Sequence, residues 1–147
     1  MSDRIPELPL DAFAARVTER LRYCDTDRQG HINNTVFAAL CEAGRMEIFR
    51  DQLETLEGEG KQFALVRLAI DFRREMHWPG DAEIGTGVMR IGTSSVALRQ
   101  SIHCAGVCAA MADSVVVLMD IHTRKPAPIS QALRSHYENL MIQRAPA

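Results

Sequence analysis

Several features that would decide the class of this chain at once are missing. There is no basic run: Lys and Arg number 17 against 19 Asp and Glu, a formal net charge of −2. Phosphate contacts need a basic face, so nucleic acid is not expected as a partner. No stretch approaches the ~18 consecutive apolar residues of a membrane span, so no membrane partner is expected either. The opening MSDRIPELPLDAF lacks a basic start followed by an apolar segment, which argues against a secretory signal. The four cysteines, Cys24, Cys41, Cys104 and Cys108, form no C-x-x-C pair. In apolar or strand-like contexts they read as reduced thiols of a cytoplasmic protein. A zinc site from His103, Cys104 and Cys108 is disfavoured, because a strand points successive residues to opposite faces. Aromatics are scarce at 5%, which hints at an aliphatic rather than a stacked aromatic pocket. No repeat, low-complexity tract or linker divides the chain, so residues 1–147 read as one domain.

What is present is enough apolar residue, 46%, to build a core without disulfides or metal. Residues 1–11 carry two prolines and several charges and read as an irregular arm. Over 14–25, Val17, Leu21 and Tyr23 alternate with Arg16, Thr18, Arg20 and Arg22, the period of a half-buried strand; Glu19 is the exception on the apolar face. Over 34–52 the period changes. Phe37, Leu40, Cys41, Gly44 and Ile48 follow helical spacing, widened by Val36, Ala39 and Ala43, which predicts a long, mostly buried helix. Asn33 or Asn34 is its natural N-cap. Gly44 inside that helix costs about 1 kcal/mol relative to Ala, tolerable where something packs closely. EGEGK at 57–61 breaks the chain.

Four strand patterns follow, over 62–76, 81–92, 94–106 and 107–123. HWPGD supplies a turn between the first pair, and Gly92-Thr93 a hairpin between the next. Residues 130–143 read as a short helix capped by Ser130, with Leu133, Tyr137 and Leu140 on one side. The order predicts an α+β, two-layer design: a curled antiparallel sheet of about five strands, arranged after the helix as a meander, wrapped around one long helix. A sheet with a long free edge is expected to pair with a second copy.

Between the first strand and the helix stands YCDTDRQGHINN, residues 23–34. Asp, Gly and Asn are ordinary turn formers, so this could be only a turn. It also places carboxylates and an imidazole beside a helix start, whose unpaired N–H groups and positive dipole end suit a developing oxyanion. A carboxylate there could act as general base or nucleophile. Asp25 is expected to brace the loop.

DTDRQGHINN followed by TVFAALCEAGRMEIF closely resembles the hotdog-fold acyl thioesterases, nearest the 4-hydroxybenzoyl-CoA thioesterase-like group of bacterial acyl-CoA thioesterases. Plant acyl-acyl-carrier-protein thioesterases carry a similar Asp-x-Asp-x-x-x-His-x-Asn-Asn segment. LAIDFRREMHWPGD, VMRIGTSSVAL and TRKPAPIS extend the resemblance over about residues 14–135. It implies a hotdog fold and hydrolysis of an acyl-CoA or acyl-carrier-protein thioester. It further implies a homodimer or homotetramer with sites at the dimer interface, no metal, and no cofactor beyond the CoA of the substrate.

Position by position, Asp27 matches the aspartate that serves the bacterial group as nucleophile or general base. Asn34 sits where a backbone N–H polarises the carbonyl. Gln29 and His31 match polar members of the plant catalytic set. Glu75 in DFRREM matches a glutamate implicated there, and Met76 replaces the cysteine that follows it, which excludes a thiol nucleophile. Gly30, Asn33 and Glu75 are expected to help bind substrate, with Arg73, Arg74, Arg90 or Arg99 for the CoA phosphates and Ser94 and Ser95 along its path. The bacterial group has apolar and aromatic residues at the positions of His31, Asn33 and Asn34, so its substrate preference does not transfer. Glu42, expected to pair with Arg45 on the helix surface, is a reserve carboxylate. His77, His103, His122 and His136 read as surface or strand filler. Two alternatives stand: a non-catalytic acyl-CoA or acyl-carrier-protein binding module, and a hydratase or dehydratase on the same fold.

Overall fold

Two periods, 2 and 3.6, lay out the chain in a computed structural model that describes residues 3–143; Met1 and Ser2 of the expected arm lie outside the described residues. Strand β1 covers Ala15–Arg20, helix α1 Asn34–Gly58, β2 Lys61–Phe72, β3 Asp81–Ile91, β4 Ser95–Cys104, β5 Val107–Asp120, and helix α2 Gln131–Glu138. The alternation over 14–25 overshoots. After Leu21 the chain winds into one 3₁₀ turn, Tyr23–Asp25, which leaves Tyr23 72% exposed against the edge of Trp78 rather than on the apolar face. Cys24 is exposed too, not strand-packed. Helix α1 runs past residue 52 to Gly58, and Leu56 in its last turn is buried. Ser130 caps α2, its hydroxyl accepting from the Leu133 amide.

All pairings are antiparallel, in the order β1-β3-β4-β5-β2. The expected four-strand meander is therefore corrected. Only β3, β4 and β5 form one, while β2 pairs with β5 at the far edge. HWPGD is not a hairpin turn: residues 73–80 carry the chain from one edge of the sheet toward the other. Hairpin logic fails there because the turn signal marks a change of direction, not the strand that is rejoined.

Gly44 shows why α1 lies as close to the sheet as it does. A Cβ there would fall 2.6 Å from both Gln100 Nε2 and Ile84 Cγ2. Gln100 donates from Nε2 to Cys41 O at 2.9 Å and to Thr86 Oγ1 at 2.9 Å, tying the helix backbone to β3 and β4. The helix-propensity cost of glycine is offset by this contact. Around it, Leu21, Ile32, Phe37, Met76 and Ile84 pack beneath the start of α1, and Phe49, Val88, Leu98 and Tyr137 fill the far end. At about 25 cal/mol per Å² of apolar area, these fully buried side chains each contribute roughly 1.5–3 kcal/mol.

Candidate active site

The loop of residues 23–34 is folded by its own polar side chains. Asp25 is buried and takes the Arg22 amide on Oδ2 at 2.8 Å and Arg22 Nη2 on Oδ1 at 2.9 Å; its carbonyl accepts from the Asn33 amide. Burial alone would raise this carboxyl, but the hydrogen bonds and charge of Arg22 outweigh it and hold the group below its ordinary range. Asp27 closes the next turn. Its Oδ1 accepts from the amides of Gln29 at 2.8 Å and His31 at 3.1 Å, its N–H donates to His31 O, and its carbonyl accepts from Gly30. Gly30 has φ +82°, the left-handed region this tight return requires. Asn33 then caps α1 by accepting from the Thr35 amide at 3.0 Å.

Against this loop runs the crossover 73–80. The Arg73 and Arg74 amides donate to Ala109 O, Met76 O accepts from the Ile32 amide at 2.8 Å, and Gly80 O accepts from Leu21. His31 and His77 stand opposite each other in a one-residue antiparallel bridge. Alternation along the crossover sends Met76 into the core, 1% exposed, and turns its neighbours Glu75 and His77 outward. Glu75 Oε2 lies 3.2 Å from His31 Nε2.

Loop and crossover enclose a cavity of about 310 Å³, walled by Asp27, Gln29, His31, Asn34, Phe37, Phe72, Arg73, Arg74 and Glu75. Asp27 offers it a half-used carboxylate: among the described residues Oδ2 has no donor. The Asn34 amide, the first of α1, likewise has no acceptor among them. Within the helix expected to be mostly buried, this start is exposed at Asn34, which lines the cavity, and at Thr35.

Not every expected residue comes to this place. Gly30 and Asn33 shape the loop without lining the cavity. Ser94 sits in the β3–β4 turn, where its carbonyl accepts from the Leu118 amide, and Ser95 opens β4. Leu118 lies nine residue steps along β5 from Ala109, about 30 Å at strand rise. Arg73 lines the cavity, but its guanidinium donates to Ile5 O and lies near Asp71, and Arg74 donates to Cys108 O. Arg99 is taken by Asp113 through two bonds of 2.8 and 2.9 Å. Glu42 and Arg45 do not form the expected ion pair. Arg45 is buried with Nη1 unpartnered, and both border an apolar groove near Phe49 and Phe63, away from Asp27. Burial pushes the Cys41 thiol up to about 11, partly offset by the charge of Arg45, so it offers no thiolate. His103 and Cys104 face opposite sides of β4, and among the described residues they belong to no cluster of three metal ligands. The pairing of Glu75 with His31 has no signal in either segment alone.

The sequence profile of the thioesterase-like superfamily matches residues 21–136. The chain belongs to the thioesterase-like superfamily. It is with that family a thioester hydrolase, and its curled sheet around one long helix is the hotdog fold. A predicted thioesterase from Bacillus stearothermophilus is 32% identical, with a TM-score of 0.82 over 88% of this chain and 98% of that one. A thioesterase from Thermus thermophilus, solved in complex with coenzyme A and zinc, is 27% identical, with a TM-score of 0.79 over 91% and 99%. The fold is shared further with a 1,4-dihydroxy-2-naphthoyl-CoA thioesterase from Synechocystis, 19% identical, TM-score 0.76, covering 85% and 96%. No curated protein matches by sequence search. Among the described residues no helix is long and apolar enough to cross a membrane.

Proposed function

We propose that this thioesterase-family chain hydrolyses acyl-CoA thioesters in the Asp27 cavity. The carrying observation is the pairing, on one wall, of a carboxylate oxygen without a donor and a helix-start amide without an acceptor among the described residues. With the thioester carbonyl oxygen against the Asn34 amide, charge developing there meets an N–H and the positive end of α1. Asp27 Oδ2 then either takes a proton from a water that attacks the carbonyl carbon, or attacks that carbon itself to form a mixed anhydride, whose bond to the acyl carbon is then cleaved by water. In both cases the C–S bond breaks, the thiolate leaves and is protonated, and water supplies the acid's new oxygen. His31, braced by Glu75, and Gln29 flank the reacting centre. The CoA bound by the Thermus relative supports CoA as the leaving group.

Self-association supports completion of the site. Edge strand β2 is interrupted by a bulge between Leu65 and Arg67, and it exposes Leu65, Val66 and Phe72, the last a cavity residue. A bare apolar edge of this kind is stabilised by pairing with a second copy, and a dimer would bring the remote Ser94 and Ser95 of one protomer within reach of another. Light scattering is expected to give a dimer or a dimer of dimers.

Free-thiol release from a panel of short, long and aromatic acyl-CoAs tests the reading. Turnover of at least one member by the parent, and its abolition in Asp27→Ala, is the expected result. Parent-like turnover by Asp27→Ala would end the assignment of Asp27, and tight CoA binding without release from any member would turn the reading toward a binding module.

A further inference from the structure

Beside the reacting carboxylate, the cavity rim holds a second constellation, two of whose members also line the cavity. His31, Glu75 and His77 each offer one donor atom, and these lie within 4.8 Å of one another. Glu75 Oε2 is 3.2 Å from His31 Nε2 and 3.6 Å from His77 Nε2. Ligand atoms about 2.0–2.1 Å from a tetrahedral zinc stand roughly 3.3 Å apart, so two of the three separations already match. The backbone fixes the arrangement: Glu75 and His77 share one face of the crossover, and the bridge to His31 closes the third side. The two imidazole rings meet edge to face, with centroids 5.1 Å apart. The site opens to solvent, since His77 and Glu75 are both exposed.

The geometry points to a binding site for a divalent transition metal of the zinc class, built from His31, Glu75 and His77. Two imidazoles and one carboxylate form a donor set that suits Zn²⁺, Co²⁺ and Ni²⁺ and leaves a fourth position open. The sequence suggested no such site, because the ligands come from segments more than forty positions apart. His31 and Glu75 line the Asp27 cavity, whereas His77 does not. Metal occupancy therefore withdraws two groups from the cavity and suppresses thioester hydrolysis. This coupling rests on the proposed activity; the binding itself does not.

Titration calorimetry of Zn²⁺ into EDTA-stripped protein tests the site. A Cys24→Ser background is used, because the Cys24 thiol is exposed. One equivalent per chain is expected to bind, with Co²⁺ giving the intense visible bands of a low-symmetry site. Loss of even an outer-sphere partner typically costs 10–100-fold in metal affinity, so loss of a direct ligand in His77→Ala or Glu75→Gln is expected to weaken binding about 100-fold or more. Circular dichroism checks that His77→Ala, altered at an exposed position, keeps its fold. In the thiol-release assay, Zn²⁺ is expected to inhibit the background protein and to spare His77→Ala, whose metal-free rate is unchanged. Equal Zn²⁺ affinity with and without His77, or no binding at all, overturns the site. If no acyl-CoA is hydrolysed by either protein, the proposed function fails while the calorimetry still decides the metal.

Discussion

The loop 23–34 and the crossover 73–80 face each other across one cavity, but they are held in opposite ways. The loop is organised from within: Asp25, Asp27 and Asn33 each bond amides of their own segment or its immediate neighbour. The crossover is organised from outside, its amides and carbonyls going to Ala109, Ile32 and Leu21. Local hydrogen bonding makes a segment readable from its own residues, whereas one fixed by distant partners carries no local signature of where it lies. The same difference separates the chemistry proposed for the two walls, a reacting carboxylate on the loop and a supporting one on the crossover.

Exchanging the carboxylates one at a time tests that contrast. The largest effect is expected for Asp27→Asn. The amide oxygen can still accept from Gln29 and His31, so the loop should survive. Loss of the carboxylate should cut kcat/KM by about 10²–10⁴, read by thiol release alongside an unchanged far-ultraviolet spectrum. A tenfold loss or less would make the two walls equivalent. Met76→Ala, the crossover's inward residue, should instead cost about 2–5 kcal/mol of stability, seen as a fall in the urea midpoint. A midpoint near that of the parent would mean that the crossover is not anchored through its core contact.

Glu75→Gln should reduce kcat/KM by about tenfold or less, ~1.4 kcal/mol, because its pairing with His31 is largely solvent-exposed. A loss matching that of Asp27→Asn would move the reacting carboxylate to the crossover. The smallest effect is expected at Asp25, and it is pH-dependent. Its folded carboxyl titrates below the ordinary value of 3.8, so the stability it contributes is present above that value and lost as pH falls through the folded one. Asp25→Asn should therefore lower the urea midpoint at neutral pH and converge with the parent in acid. A constant gap across pH would remove the ionised pair with Arg22 as its cause.

The fold was legible where one period ruled a long segment. Helical spacing around Phe37, Leu40, Cys41, Gly44 and Ile48 marks α1, and the close contact that Gly44 requires is met by Gln100 and Ile84. Strand edges were less legible. Tyr23 keeps the alternation of β1 but leaves the sheet, because Asp25 draws the backbone into a turn. Pairing partners were not legible at all. Pro79-Gly80 reads the same whether the next strand returns beside β2 or crosses to β1.

The sequence by itself determined a long buried helix among antiparallel strands, and a polar loop whose Asp, Gly and Asn fold it through contacts two to four residues apart. Tertiary structure alone decided that β2 lies at the far edge beside β5 and that the crossover runs beneath the helix start. It also decided that Glu75 and His77 meet His31 across the chain. Local interactions act over a few residues and leave their mark in spacing and residue type. Strand order and side-chain encounters depend on which distant surfaces bury one another, and no short stretch of residues encodes that choice.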